Sequence, residues 1–177
     1  IDPEINLKAK KFDLALSMYY SSQSDLQGEY GTSRSASCRA YVDSSGPNPT
    51  IFHGDFTQQL YGMVGTSGGV TTYINSDNKG SVTTLSFATG AADFTEHFND
   101  GMKLVYKKHR ASGNIYELDR VVDPDGVCQT YTYGSGAEEG LLKTITVPGD
   151  LLVSYTYVPG PVTSLVSEIE DFGGRRT

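Results

Sequence analysis

The sequence has no tryptophan, few cysteines and no long apolar segment. None of its apolar runs approaches the roughly 18–20 residues that a transmembrane helix needs, so a membrane-spanning segment is not expected. The two cysteines, Cys38 and Cys128, are too few for a disulfide framework. A single bridge between them and two free thiols both fit this number, and two free thiols are the expected state.

Basic residues are in the minority. Lys and Arg number 14 against 21 Asp and Glu, which gives a net charge of −7 and an isoelectric point near 4.8. Binding to nucleic acid generally needs a surplus of Lys and Arg that neutralises phosphates, so the composition excludes a general nucleic-acid binder. One local basic cluster fits an acidic partner or a polysaccharide, but lysines along a solvated strand edge are its more common cause. The cluster consists of Lys103, Lys107, Lys108, His109 and Arg110.

Glycine and tyrosine are abundant instead. The 177 residues include 20 Gly, 12 Tyr and 7 Phe. This glycine content exceeds the usual share of about 7% and favours turns over long helices, while aromatic residues favour strands. The length suits one domain with a real core. Together these features predict an all-β fold of successive antiparallel β-hairpins with few or no helices.

The N-terminal half alternates between strand and loop patterns. Large side chains occupy every second position from Phe12 to Tyr20, which favours a strand, although a helix is the competing interpretation. Residues 21–49 are rich in Ser and Gly and predict loops, with one short strand over residues 38–42. Further strands are predicted over residues 50–62, with a turn at Gly54-Asp55, and over Val70–Ile74.

Large residues follow several turn residues at a fixed distance. Tyr131 lies five residues after Gly126, Tyr106 lies five after Gly101, and Tyr155 lies five after Asp150. The same spacing separates Gly80 from Leu85. Turn chemistry supports the pattern, since Pro presets φ, Asp bonds its own backbone and Gly accepts a positive φ. Two of the turns are Asp123-Pro124-Asp125-Gly126 and Phe98-Asn99-Asp100-Gly101, and residues 77–80 resemble them.

A repeat period organises the C-terminal half. It relates Leu118 to Leu142 and Val166, Val121 to Ile145 and Ile169, and the pair Tyr131/Tyr133 to Tyr155/Tyr157. A fixed period of this size, about 24 residues, is typical of repeat architectures. We predict that the two tyrosine pairs lie in adjacent strands of one sheet. The repeat-defining residues are Leu118, Val121, Asp123, Pro124, Gly126, Tyr131, Tyr133, Leu142, Ile145, Tyr155, Tyr157, Val166 and Ile169.

These units resemble the YD-repeat (Rhs) family, which includes bacterial Rhs and Tc-toxin components and the animal teneurins. The resemblance rests on residues 118–126 with 130–133, on 140–148 with 155–157, and on 165–173. The second unit has Val147 in place of the Asp of Asp-Pro, and the third lacks the proline and the returning strand. The resemblance implies a twisted, spiralling sheet of hairpins that forms a hollow shell. It also implies that this chain is a fragment of such a shell, with residues 1–93 as a lead-in region and 94–177 as the repeats.

Catalytic and metal-binding groups are weakly indicated. His53, His97 and His109 lack the local spacing of a metal site. Acidic pairs such as Asp93 and Glu96 or Asp123 and Asp125 are compatible with glycoside hydrolysis, but turn and loop roles are favoured. Asp55, Asp77 and Asn78 do not form a calcium loop of the required spacing. We therefore expect no catalytic residue, no metal and no cofactor.

The sequence thus predicts a non-enzymatic structural segment of a YD-repeat-like shell or surface protein, which encloses or displays another domain. The alternative is an all-β carbohydrate-binding or adhesin-like module, and an acid-type hydrolase is a third interpretation. Expected partners are further repeats of the parent chain, copies of the chain that associate through sheet edges because the third unit lacks a strand, and glycans. An extracellular or cell-surface location is expected.

Overall fold

A computed structural model describes residues 5–7, 13–75, 83–160 and 163–177, the first of these ranges by its backbone alone. Within them, no helix has the length and apolar character needed to cross a membrane. Two compact units are present, one formed by residues 1–39, 54–56 and 129–177 and the other by residues 40–53 and 57–128. The sequence predicts a boundary between a lead-in region, residues 1–93, and the repeats, residues 94–177. This boundary stays a prediction, because the two compact units are defined by spatial contacts and not by sequence repeats.

Almost all of the regular structure is β-strand, which confirms the all-β prediction. The only helical element in the described residues is a single 3₁₀ turn over Gly136–Glu138. The strands are β1 Ile5–Leu7, β2 Leu14–Leu16, β3 Met18–Tyr20, β4 Gln27–Gly28, β5 Gly31–Thr32, β6 Arg34–Ala36, β7 Tyr41–Asp43, β8 Thr50–Phe52, β9 Gln58–Ser67, β10 Val70–Asn75, β11 Thr84–Ala88, β12 Asp93–His97, β13 Lys103–Lys107, β14 Ile115–Val122, β15 Cys128–Tyr133, β16 Leu142–Val147, β17 Leu151–Val158 and β18 Leu165–Asp171.

The unit of residues 40–53 and 57–128 is a closed antiparallel barrel of eight strands. Strands β7 to β13 follow one another as neighbours, and β14 pairs with both β13 and β7. The pairing of Tyr116 with Val42 closes the ring. In β14, residues 115–117 pair with β7 and residues 117–122 pair with β13. Register shifts at Thr72/Tyr73 and Val105/Tyr106 mark bulges, which bend strands as a closed sheet requires.

Alternating side chains fill the barrel. Val42, Ile51 and Leu85 are completely buried, as are two tyrosines, Tyr61 and Tyr106. Antiparallel neighbours that lie directly opposite share one face, so the pairs Leu85–Glu96 and Phe94–Tyr106 point to the same side. The resemblance led us to expect a spiralling sheet. The sequence carried no signal for closure, because the closing contact joins strands far apart in the chain.

The unit of residues 1–39, 54–56 and 129–177 contains an antiparallel meander, β15-β16-β17-β18, and three short strand pairs. Its core includes Ile145 and Val153, neither of which is exposed. Leu14 and Leu16 are also buried. The short pairs are β1 with β2, β3 with β6, and β4 with β5.

The predicted tyrosine pairs lie in one sheet but not in adjacent strands. Tyr131 and Tyr133 belong to β15, Tyr155 and Tyr157 belong to β17, and β16 lies between these strands. The adjacency prediction is therefore wrong. One repeat period spans a whole hairpin of two strands, so equivalent residues must recur in every second strand.

The predicted turns are present and share one geometry. In residues 123–127, the Asp123 N–H donates to Val127 O (2.9 Å) and Gly126 has φ 84°. Residues 98–102 repeat this arrangement with Gly101 at φ 89°. Residues 53–57 confirm the turn at Gly54-Asp55, with Phe56 in the positive-φ position at 67°. Each is a three-residue hairpin loop whose last residue is left-handed. The turn predicted at residues 77–80 lies outside the described residues.

Two predicted strands have different bounds. The alternation over residues 12–20 does form strands rather than a helix, but β2 and β3 are separated at Ser17, which binds the Ser37 side chain and main chain. Phe12 lies outside the described residues. Residues 38–42 contribute a strand only from Tyr41 onward, because the Arg39 N–H closes a turn onto Ala36 O.

The backbone of β18 makes more hydrogen bonds along its outer edge than the sequence predicts. Ile169 exchanges two backbone hydrogen bonds with Thr177 (2.9 and 3.0 Å), and the Val166 N–H donates to Glu29 O at 2.7 Å. Residues 175–177 therefore begin a return strand against β18. The expectation of an unpaired half-hairpin is wrong for these residues.

Candidate functional site

The repeat-defining residues lie in strands and turns, where they have structural roles. Their aliphatic members on the sheet are mostly buried. Leu118, Leu142, Ile145 and Ile169 are buried, whereas Val121 and Val166 are partly exposed. Pro124 and Gly126 lie on the exposed side of their turn. In each set of three equivalent residues, two members are therefore buried and one is partly exposed.

Two turns two periods apart have matching hydrogen bonds. The Asp123 carboxylate accepts the Val127 N–H at 2.8 Å, and the Asp171 carboxylate accepts the Arg175 N–H at 3.0 Å. In both turns the first residue also bonds the backbone of the fifth, and the fourth residue is a glycine with positive φ. The shared geometry explains why Asp recurs there. Asp171 has a pKa below its usual range because hydrogen bonds from Arg175 and Gly173 outweigh the opposing effect of burial.

The position five residues after three of the left-handed turn residues is buried. Tyr106, Tyr131 and Tyr155 follow Gly101, Gly126 and Asp150 in this way, and none of these tyrosines is more than 6% exposed. Asp150 itself has φ 60°, so it takes the conformation that glycine takes in the equivalent turns. Gly80 lies outside the described residues, and Leu85 is fully buried. The tyrosines pack inside the sheet rather than forming a surface for stacking sugars.

Tyrosines surround Cys38 in the core of the meander unit. The Cys38 Sγ lies 3.5 Å from Tyr30 Oη and 3.4 Å from Tyr155 Oη. Burial raises the pKa of the Cys38 thiol, and it also raises the pKa of Tyr155 well above its usual value. The other thiol, Cys128, is exposed, and both cysteines are free. The expectation of two free thiols is thus confirmed, and Cys38 sits where a thiolate nucleophile would not form.

A carboxylate is buried inside the barrel between two tyrosines. Glu96 is completely buried and accepts hydrogen bonds from Tyr61 Oη to Oε1 (2.7 Å) and from Tyr106 Oη to Oε2 (3.0 Å). The Tyr61 hydroxyl also lies 2.8 Å from Thr83 Oγ1 and 3.0 Å from Gln59 Oε1. Burial and the nearby Glu96 charge raise the pKa of Tyr61. This set of five residues is called the Glu96 network below.

The Glu96 network was not predicted from the sequence. The sequence feature that indicates this network is the alternation in β12, where Phe94 and Glu96 occupy the two buried positions of Asp93–His97. A charged residue at a core position of an alternating strand needs partners, because an isolated buried carboxylate is very costly. The partners lie 35 and 10 residues away in the chain, so local patterns do not identify them.

Four aromatic rings form a second group in the barrel unit. Phe94 contacts Phe87 (4.6 Å between centroids), Tyr116 (4.9 Å) and Tyr73 (6.3 Å). The Lys108 Nζ lies 5.9 Å from the centroid of Tyr116. Phe94 is buried, whereas the other three rings are partly exposed. We call these four rings and Lys108 the aromatic group.

Three residues of the predicted basic cluster are paired with acids. Arg110 Nε lies 2.6 Å from Glu117 Oε1, while Lys107 Nζ and His109 Nε2 lie 3.5 and 3.4 Å from the Asp119 carboxylate. Burial alone would raise the pKa of Asp119, but His109, Lys107 and Arg120 lower it overall. Two carboxylates, Asp119 and Glu117, thus neutralise part of the charge of this cluster.

The remaining polar candidates do not converge on a reactive centre. His97 Nε2 lies 3.0 Å from Ser86 Oγ, and burial together with Lys103 lowers the pKa of His97. In the described part of the chain, no group of three or more His, Cys, Asp or Glu side chains could hold a metal ion. Asp77 and Asn78 lie outside that part, and Asp55 is exposed.

Comparisons with known proteins identify the fold. No protein-family model matches the chain, and no curated protein matches it. Among solved structures, the chain is similar to the N-terminal domain of the effector protein SpvB from Salmonella typhimurium strain LT2. The match has a TM-score of 0.57 and 14% sequence identity, and it covers 93% of this chain and 78% of that one. At this identity the similarity shows a shared β-fold.

Proposed function

We propose that this chain is a non-enzymatic structural segment of a YD-repeat-like shell or surface protein, which encloses or displays another domain. Its contribution is a wall of antiparallel strands in which two strands correspond to each repeat period. The same proposal places the protein outside the cell or on its surface.

The matching turns at Asp123 and Asp171 carry the proposal. They lie two periods apart and use the same carboxylate-to-backbone bond, the same backbone pairing and the same left-handed glycine. Independent turns can each use Asp and Gly. Here, however, Tyr131 and Tyr155 also lie between them, one period apart, and both are buried. A structural repeat accounts for both observations at once.

The state of the polar groups supports a structural role. Glu96 is buried and accepts hydrogen bonds from tyrosines, Cys38 is buried, and Arg110 and Lys107 of the basic cluster are paired with Glu117 and Asp119. The fold it shares with the N-terminal domain of an effector protein is compatible with a segment that serves a larger effector polypeptide.

Carbohydrate binding is the second candidate, and the aromatic group favours it. Partly exposed Tyr73, Phe87 and Tyr116 offer apolar ring surface next to the Lys108 ammonium. Sugar sites combine such ring surfaces with polar groups. The tyrosines first considered for this role, Tyr131 and Tyr155, are buried and do not support it.

Exchanging turns tests the structural repeat. Residues 123–127 are replaced by the sequence of residues 171–175, which changes Asp-Pro-Asp-Gly-Val to Asp-Phe-Gly-Gly-Arg. The chimera should fold with an unchanged strand register, and its stability should change by no more than about 0.5–1 kcal/mol, as is typical of compatible surface changes. Urea denaturation and backbone NMR report these two properties. A shifted register or a loss of several kcal/mol would show that the two turns are not equivalent.

A control variant keeps the amino-acid composition of the turn but exchanges two of its residues. The double substitution Asp123→Gly and Gly126→Asp removes the carboxylate-to-backbone bond and puts a side chain at positive φ. It should cost about 2–3 kcal/mol, from about 1 kcal/mol for the bond and about 1–2 kcal/mol for the left-handed residue.

A glycan array tests the alternative. The structural proposal predicts no specific binding by the wild-type protein. Binding that is lost in Tyr116→Ala but kept in Tyr20→Ala, where the tyrosine is 69% exposed and lies outside the aromatic group, would favour the carbohydrate-binding module.

A further inference from the structure

Strand β9 of the barrel unit has one edge along which residues 62–67 have no neighbouring strand in the described ranges. Strand β8 has three residues, so its pairing with β9 reaches only Gln58–Leu60. The Tyr61 N–H then donates to Pro49 O. Beyond it, residues 62–67 pair with β10 on one side, and no strand in the described ranges pairs with them on the other. Residues 62–67 are called the β9 edge below.

The β9 edge lacks the usual protection. Natural proteins guard such edges with Lys, Pro or inward-pointing charges, because unpaired N–H and C=O groups accept further strands. The sequence from Phe56 to Ser76 contains no Asp, Glu, Lys, Arg, His or Pro, although 20% of the whole chain is charged. Met63 and Val64 are 59% and 63% exposed. The register shift opposite Val64 marks a bulge, which is the only protective feature among these residues.

We propose that the β9 edge binds the β9 edge of a second copy of this chain, with the two strands antiparallel about a two-fold axis near Val64. An isologous contact of this kind places each residue opposite its own counterpart or a near neighbour. A charged edge would therefore bring like charges together, which is unfavourable across strands. The uncharged β9 edge avoids that repulsion.

The side-chain sizes on this edge suit self-pairing. With the axis at Val64, Met63 of one copy lies opposite Gly65 of the other, so a large side chain meets a position without one. Gly62 likewise lies opposite Thr66. The bulge at Val64 limits regular pairing to short runs on each side. Because the contact is small, we expect a dissociation constant on the order of 100 μM, typical of weak interfaces.

Sedimentation velocity across about 5–500 μM protein tests the proposal. The expected result is reversible dimerisation that strengthens at higher salt, because each copy carries a net charge of −7 and screening reduces their repulsion. Val64→Lys should weaken the dimer at least tenfold, since two lysines would face each other at the axis. The substitution is compatible with the fold because Val64 is 63% exposed.

Val70→Lys is the matched control. It adds the same charge to the same hairpin at a side chain that is 38% exposed, but β10 already has a neighbour on both sides. It should leave the dimer unchanged. Equal loss of dimer in both variants would show face packing instead of edge pairing and overturn the proposal. A monomer at every concentration would do the same.

Hydrogen exchange locates the contact. Amides within residues 62–67 should exchange more slowly at about 500 μM than at about 5 μM protein, a range that spans the expected dissociation constant. Amides of β10 should not change, because that strand is paired in the monomer. Equal protection of residues 62–67 at both concentrations would mean that another part of the same chain covers the edge, and it would overturn the proposal.

Discussion

Removal of the tyrosine hydroxyls that bind Glu96 should destabilise the barrel. Tyr61→Phe deletes the donor 2.7 Å from Glu96 Oε1 and the partner 2.8 Å from Thr83 Oγ1. A hydrogen bond to a charged group contributes about 1.5–3 kcal/mol, and a buried hydroxyl left without its partner costs about 1 kcal/mol more. We therefore expect Tyr61→Phe to lower the free energy of unfolding by about 3 kcal/mol. Tyr106→Phe deletes the bond of 3.0 Å to Glu96 Oε2 and should cost about 2 kcal/mol.

A double-mutant cycle with Glu96→Gln tests whether the charge is responsible. The amide keeps the shape of the side chain but makes neutral hydrogen bonds, which contribute about 0.5–1.5 kcal/mol each. Tyr106→Phe should therefore cost about 1 kcal/mol less in the Glu96→Gln background than in the wild type. Urea denaturation followed by circular dichroism gives the four free energies of unfolding.

Tyr20→Phe provides the control for hydroxyl removal, because Tyr20 is 69% exposed and its hydroxyl is accessible to water. It should change the stability by less than about 0.5 kcal/mol. If Tyr61→Phe and Tyr106→Phe also fell within that range, the Glu96 network would not hold the barrel and our reasoning about it would be refuted.

Three further predictions concern the turns and the thiols. Asp171→Asn should lower the stability at neutral pH and reduce the acid-side slope of a plot of melting temperature against pH. The folded-state pKa of Asp171 is depressed, so its contribution is present above the ordinary value of 3.8 and is lost as the pH falls through the lower folded-state value. Cys128 should react with a thiol reagent in the native protein, whereas buried Cys38 should react only in denaturant, so that absorbance titration gives one thiol and then two; two fast thiols would contradict the burial. Gly126→Ala should cost about 1–2 kcal/mol because φ is 84°, and Gly101→Ala should cost more because its Cβ would also lie 3.2 Å from a proline; denaturation midpoints that rank the two in the opposite order would contradict this.

The turns were predictable because their chemistry is local. Asp123-Pro124-Asp125-Gly126 specifies a preset φ, a side-chain acceptor and a left-handed residue within four positions. The structure contains the acceptor at Asp123 and the left-handed residue at Gly126. The equivalence of Asp150 with glycine was also visible, because Tyr155 follows it at the same distance. Signals contained within one hairpin therefore sufficed for the strands and turns of the C-terminal half.

Barrel closure and the Glu96 network were not predictable in the same way. Closure joins Tyr116 to Val42, and the network joins Tyr61 to Glu96 across 35 residues. Neither pairing leaves a periodic pattern in the sequence, because each depends on how distant strands meet. The split of residues 12–20 into two strands also has a non-local cause, since Ser37 binds the chain at Ser17.

The central claim is that strands β14 to β18 belong to a repeating structural wall. Electron cryo-microscopy of the natural gene product that contains this chain tests it most directly. We predict that strands continue beyond β18 in the same sheet at two strands for each repeat period, and that the sheet encloses or displays another domain. A gene product in which the sheet ends at the β18 hairpin, with no further repeats and no second domain, would contradict the claim.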